Sequence, residues 1–252
     1  MTGQAPNNTP NPLDDIRADI DAIDRGIFDL LVRRSARVSD VARAKSEFAD
    51  RVPLRPLREA SQMMSLMDWH KEAGLDYPQV SVLAIWREII GASIAQQGGM
   101  VIVTTPDGLA AARAYFGSAL TYNCVPSEAE VLSAAIALDA VGVVGIDTYP
   151  EWYDKVPEGG SFFARLSVVD ADNFICFGKL SEEDMDAYRN LKVTYLLEGA
   201  VETRHGDTGS EVQVLSKKDD ICLFSAVQPL AGYRRLGYFV CFDLNEDQHD
   251  RS

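Results

Sequence analysis

The 252 residues are enough for one large domain or two smaller ones, and 46% hydrophobic with 25% charged residues is the composition of a globular chain that can bury a core. A formal net charge of -14 excludes the basic surface that nucleic acid or an anionic membrane requires of a partner. No run approaches the ~18 apolar residues that cross a bilayer. The charge is uneven: 12 basic and 14 acidic side chains precede Gly98, while 12 and 24 follow from there on. The first part is nearly neutral, so its cations can be placed for a purpose.

Residues 1–11 are polar, rich in Pro and Asn, and lack the apolar stretch of a secretory signal. They read as the disordered tail of a cytoplasmic protein, and residues 246–252 as a second tail. Residues 12–46 are predicted to form one long helix. Leu13, Ile16, Ile20, Ile23, Ile27, Leu30, Leu31, Val38 and Val41 fall at steps of three and four and define one face. Asp14, Asp15 and Asp19 suit the positive end of its dipole. At ~1.5 Å per residue it is about 50 Å long, more than a domain of this size needs, so part of it must find cover elsewhere. Glu47 to Leu57 is a connection in which Pro53 and Pro56 block a continuous helix. A second helix is expected from Leu57 to Ala73, closed by Gly74, and a third from Pro78 to Gln97, ended by Gly98 and Gly99.

Beyond Gly99 the texture changes to α/β. Met100–Thr104 and Val141–Ile146 read as strands, with helices at Leu109–Phe116 and Ser127–Leu138 between them. Later strands are expected at Phe163–Val169, Phe174–Phe177, Val193–Leu197, Glu211–Leu215, Ile221–Ala226 and Tyr238–Phe242, with a helix at Glu182–Asn190. The predicted organisation is a helical domain over 12–98 and an α/β domain over 100–245. The four cysteines, Cys124, Cys176, Cys222 and Cys241, form no C-x-x-C pair and read as reduced thiols. His205–Ser210 reads as a hairpin turn rather than a phosphate or metal loop. Trp152 and Tyr153 serve equally well as pocket walls, with Lys155, or as buried anchors.

The chemistry-bearing residues lie in the helical part. Arg34 and Lys45 are eleven apart and share a face of the long helix. Arg17 is seventeen from Arg34, about 100° out of phase and roughly 25 Å along the axis. The two cannot grip one small molecule from a single helix, but Arg17 from an antiparallel second copy could join Arg34. On the third helix Ser93 and Gln97 are four apart and share a face. Arg58 and Glu59 start the second helix. Taken singly, such arginines are ordinary solvated residues. Together, the cations with a glutamine, a serine and a glutamate, and without a metal cluster or an activated nucleophile, suit a small dianion whose reaction needs charge stabilisation.

Three separated motifs carry a family resemblance. The first helix reads IRADIDAID…LLVRRSARVSDVARAK (Ile16–Lys45), the turn VPLRPLREA (Val52–Ala60), and the third helix IWREIIGASIAQQ (Ile85–Gln97). Leu13–Gln97 resembles the all-helical class of chorismate mutases. The resemblance implies an intertwined homodimer of three-helix chains and a cofactor-free rearrangement of chorismate to prephenate in aromatic amino-acid biosynthesis. It implies that Arg17 of the second copy and Arg34, assisted by Ser93, clamp the substrate carboxylates. Lys45 and Gln97 would donate to the ether oxygen, Arg58 would support the polar wall, and Glu59 would accept from the ring hydroxyl. Val41, Ile90 and Ile94 would line the apolar side. This chain has Arg55 where relatives carry an aspartate that helps bind the hydroxyl. An isochorismate pyruvate lyase is the alternative enzyme on the same fold, and a regulatory, non-enzymatic relative the alternative of another class. In the second half, Thr104–Gly117 and Gly142–Asp147 are distantly similar to prephenate dehydratase. That family's Thr-Arg-Phe motif is missing, since Thr203-Arg204 is followed by His205. A bifunctional mutase–dehydratase is therefore a further alternative, a degenerate ligand-binding or dimer-bracing domain another.

Overall fold

The computed structural model describes residues 12–47, 54–166, 173–180, 194–200, 212–218, 221–227 and 232–240. The chain divides into two compact units, residues 1–51 and 52–252. The first contains one 36-residue helix, α1 (Pro12–Glu47). Pro12 opens it, where a missing N–H is no loss. Asp14 and Asp15 in the first turn and Lys45 in the last complement its dipole. The apolar ladder Leu13, Ile16, Ile20, Ile23, Ile27, Leu30 and Leu31 is exposed along its length. Ion pairs between neighbouring turns, Arg17–Asp14, Arg25–Asp29 and Arg37–Asp40, decorate other faces.

The second unit begins with α2 (Pro56–Ala73) and α3 (Gln79–Gln96). As expected, no helix runs continuously through Pro56; α2 starts at it, and Pro56 occupies the first turn, where its fixed φ helps. Gly74 ends α2 in the left-handed region (φ 56°), and its N–H is bonded to the His70 and Lys71 carbonyls. Pro78 caps α3 from one residue outside it.

The α/β part follows as β1 (Val101–Thr104), α4 (Leu109–Phe116), β2 (Thr121–Cys124), α5 (Glu128–Ala137), β3 (Val141–Gly145), α6 (Tyr149–Trp152) with a 3-10 turn at Tyr153–Lys155, β4 (Ser161–Arg165), β5 (Phe174–Gly178), β6 (Thr194–Ala200), β7 (Val212–Lys218), β8 (Ile221–Ala226) and β9 (Arg234–Phe239). The predicted fold class is the observed one, an all-helical first part followed by a mixed α/β part. The described strands form one sheet in the order β2-β1-β3-β5-β4-β9-β6-β8-β7. β1 runs parallel to both β2 and β3, with α4 and α5 as the crossovers. β5 then pairs antiparallel with β3 and β4, and the far end is an antiparallel β9-β6-β8-β7 set.

Alternation along the strands divides the core in two. Ile102, Val141, Val143 and Cys176 face α3 and α4, in one cluster with Ile90, Ile94, Tyr115 and Phe116. Val103, Val144, Ile175 and Phe177 face the other side, with Val131 and Leu132 of α5 and Tyr149 and Trp152 of α6. Trp152 is fully buried and its Nε1 donates to the Gly145 carbonyl at 2.8 Å, which makes it an anchor. Cys124, Cys176 and Cys222 are free thiols. β2 lies where the sequence predicts no strand. β4 and β9 begin earlier than expected, at Ser161 and Arg234. The predicted helix at 182–190, the turn at 205–210, Cys241 and both predicted tails lie outside the described residues.

The seam between α3 and α4 is set by Gly91. A Cβ there would run into the Phe116 carbonyl oxygen, a backbone atom that cannot swing aside. Beside it, Glu88 accepts from both the N–H and the hydroxyl of Ser118 at 2.9 Å. Alanine normally gains about 1 kcal/mol over glycine inside a helix. Here overpacking, typically ~1–3 kcal/mol, opposes that gain, and Gly91→Leu gains a similar propensity but adds far more bulk against a backbone that cannot yield. Gly91→Leu is expected to lower the stability of the full chain by at least about 2 kcal/mol in urea unfolding, and an unchanged midpoint would show that the helices do not meet as described.

Candidate active site

The candidate residues are distributed over both units. Along α1, at 100° per residue, Arg34, Val38, Val41 and Lys45 continue the stripe begun by the apolar ladder. One face therefore changes from apolar to cationic toward its C-terminal end. Arg17 lies on the flank of that stripe and pairs with Asp14 at 3.4 Å in an exposed contact of little energetic weight. Val41 is exposed, and Arg34 and Lys45 are half-buried. Asp40, which faces another direction, is held below the ordinary carboxylate range by hydrogen bonds from Arg43 and Arg37.

In the second unit, α2 and α3 carry the remainder. Arg55 is the residue before α2, half-buried, and Arg58 on the first turn is exposed. On α3, Ser93 is buried and its Oγ donates to the Ile89 carbonyl at 2.7 Å. Gln97 terminates α3, and its Nε2 donates to the Ser93 carbonyl at 3.0 Å. The two polar groups are thus held on one edge at the C-terminal end of the helix. Ile90 and Ile94 are buried beside them, in the core shared with α4.

Glu59 is in a different situation from its neighbour Arg58. It is only 8% exposed and lies 3.9 Å from the Nη1 of Arg87, itself only 6% exposed. Arg87 lies on the buried ridge of α3 with Ile90 and Ile94, and its guanidinium sits 3.7 Å over the ring of Tyr115 on α4. The Cys176 thiol of β5 faces the same group of charges. Loss of water pushes the Glu59 carboxyl up to about 7, against the opposing pull of Arg87 and of a hydrogen bond from the Arg55 backbone. Burial likewise pushes Tyr115 up to about 12 and the Cys176 thiol well above its usual range. Sequence reasoning found Glu59 and missed Arg87 and Tyr115. The available signal was an arginine at position 87 in register with apolar positions 90 and 94.

Among the described residues, no group of three or more His, Cys, Asp or Glu is arranged to hold a metal ion. No described helix is long and apolar enough to cross a membrane. Taken unit by unit, α1 carries the cations Arg34 and Lys45, and α2 and α3 carry an amide, a hydroxyl and one buried carboxylate, group types suited to binding and polarising a small anion rather than to covalent attack.

A three-helix region bearing these groups, followed by a mixed α/β domain, defines the class of the chain. Residues 16–98, a third of the chain, match the family model described as chorismate mutase type II. The match spans α1 to α3 and includes every candidate residue from Arg17 to Gln97. No curated protein matches the chain, and no solved structure matches it.

Glu59 gives a pH signature. Its folded-state value lies above the ordinary 4.5, so the fold favours the neutral carboxyl. The associated stability is complete below pH 4.5 and is lost as pH rises through about 7. Between pH 5 and 8 this amounts to a loss on the order of 2–3 kcal/mol. In Glu59→Gln that loss should vanish, leaving only the slope of the other groups. Urea unfolding of both proteins across this range provides the comparison, and parallel curves would mean that Glu59 titrates as an exposed carboxylate.

Proposed function

We propose that the chain is a chorismate mutase, acting as a homodimer in which each site receives Arg17 from the second copy. The observation that carries this reading is the coincidence, within residues 16–98, of the family match with Arg17, Arg34, Lys45, Arg58, Glu59, Ser93 and Gln97 in the resembled order and spacing. The exposed apolar ladder of α1 supports the dimer. Seven large apolar side chains along one helix stay in water unless something covers them, and burying each is worth roughly 1.5–3 kcal/mol. A second α1 laid antiparallel covers like with like and carries its Arg17 toward the cationic end.

The reaction asks little covalent chemistry of the protein. As the C–O bond of chorismate breaks ahead of C–C formation, negative charge gathers on the ether oxygen. Lys45 and Gln97 donate to that oxygen, and a fixed donor aimed at developing charge is the largest single contribution a site of this kind can make. Arg34 and the second copy's Arg17 hold the two carboxylates so that the reacting carbons stay close, with Ser93 assisting. Val41, Ile90 and Ile94 form the apolar side, and Arg58 supports the polar wall. Glu59 accepts from the ring hydroxyl. Arg55 stands in place of a second acceptor, so hydroxyl recognition falls to Glu59.

The direct test is chorismate disappearance with product identification on the full chain. Prephenate is expected. Salicylate with pyruvate would assign a lyase, phenylpyruvate a second activity in the α/β domain, and no turnover would refute the enzyme reading. Lys45→Ala is expected to reduce turnover by at least two orders of magnitude, the ~3–4 kcal/mol of a key electrostatic donor.

Supply of Arg17 from the second copy has its own test. Arg17→Ala and Lys45→Ala chains, each inactive alone, are unfolded and refolded together in equal amounts. Half of the dimers are then mixed, and each mixed dimer holds one intact site, so about a quarter of the wild-type activity should return. A mixture as inactive as its components would place Arg17 and Lys45 in the same chain's site.

A further inference from the structure

We infer that Arg87 is a positioning residue of the proposed mutase site, and that through its seat on Tyr115 the α/β domain sets the position of the carboxylate that receives the substrate's ring hydroxyl. The inference rests on the proposed function and adds to it a part for the second domain.

Arg87 has the geometry of a group placed for a reason other than packing. It is only 6% exposed, on a helix face whose other buried members include Ile90, Gly91 and Ile94. Its Nη1 has no hydrogen-bond partner among the described residues and points its charge at Glu59 Oε2 across 3.9 Å. That separation is within ion-pair range and just beyond a hydrogen bond. A buried guanidinium whose ion pair falls short of a hydrogen bond recovers little of its lost hydration, so part of its support comes from outside α3. The seat is Tyr115, whose ring lies 3.7 Å below the guanidinium. Tyr115 belongs to α4, and α4 is held against α3 by the close approach at Gly91 and by Ser118 donating to Glu88.

The groups facing Glu59 are Arg87 from α3, Tyr115 from α4, Cys176 from β5 and the backbone N–H of Arg55. Tyr115 and Cys176 are both held neutral by burial at physiological pH. Arg87 therefore supplies the positive charge that opposes the upward push of burial, so that Glu59 ionises near pH 7 rather than higher and turns toward the guanidinium. Without it the carboxyl takes up a proton and loses acceptor strength toward the hydroxyl. This effect bears on substrate binding more than on the breaking bond, because the hydroxyl takes no part in the rearrangement.

The experiment uses the full chain, with steady-state kinetics from pH 5 to 9 on wild type, Arg87→Met, Arg87→Lys and Tyr115→Leu. A chorismate analogue lacking the ring hydroxyl serves as a competitive ligand. Arg87→Met is expected to raise KM about tenfold or more, with kcat within about threefold, and to move the acid limb of kcat/KM to higher pH. Arg87→Lys should recover part of the loss, and Tyr115→Leu should shift KM in the same direction. The deoxy analogue should bind wild type and variants alike, a result that general loosening of the site would not give. A wild type that fails to convert chorismate removes the proposed function itself, and this inference with it. An active wild type whose Arg87 and Tyr115 variants keep KM and the acid limb, or lose affinity for the deoxy analogue equally, overturns the coupling alone.

Discussion

The arrangement of the larger unit depends on how closely α3 and α4 approach at Gly91. A side chain of any size at that position would meet the Phe116 carbonyl. With none there, α4 lies directly on the flank of α3, and water is removed from everything on that flank. Ile90 and Ile94 gain from this. Arg87 and Glu59 do not, because each charge loses several kcal/mol of hydration that their mutual attraction must offset. The upward shift of Glu59 to about 7 despite a neighbouring arginine shows that desolvation outweighs attraction at this spot. The Tyr115 face softens the cost for Arg87, since a guanidinium is weakly hydrated and tolerates stacking on an aromatic ring.

Helix α1 poses the opposite problem. Its stripe is apolar for the first five turns and cationic beyond, and the apolar part is in water. No local rearrangement of a single straight helix can remove both features, because the stripe follows from the 3.6-residue repeat. Burial against an apolar surface of matching period is what the apolar half requires.

Much of this was legible in the sequence where periodicity is strong. The three long helices follow from apolar steps of three and four, and β1, β3, β5 and β8 from short runs bounded by turns. β2 was not legible. Thr121-Tyr122-Asn123-Cys124 lies at the edge of the sheet with mostly exposed residues, so neither alternation nor an apolar run marks it. Pro56 marked the start of α2 to within one residue, because proline stops a helix from inside yet starts one from its first turn. Of the candidate site, the cations, Ser93, Gln97 and Glu59 were readable from spacing and resemblance. Arg87 was not, because an arginine on a helix is normally solvated. Only the packing of a domain fifteen or more residues further along the chain turns it inward.

That packing also bears on Arg55, the departure from the resembled family. The resemblance leads one to expect an aspartate there, a second carboxylate in the neighbourhood of Glu59. In an open, wet site two neighbouring carboxylates can both stay ionised. In a spot as dry as the surroundings of Glu59, they cannot, and one would hold a proton. With α4 over the flank of α3, a buried arginine draws the one carboxyl back toward ionisation, and a second acid would oppose that. Arg55 now contributes a backbone N–H to Glu59 rather than a second acid, and Arg87 contributes the charge. An arginine rather than an acid at 55 and the burial of Arg87 both answer to one constraint, the dryness that α4 imposes around Glu59.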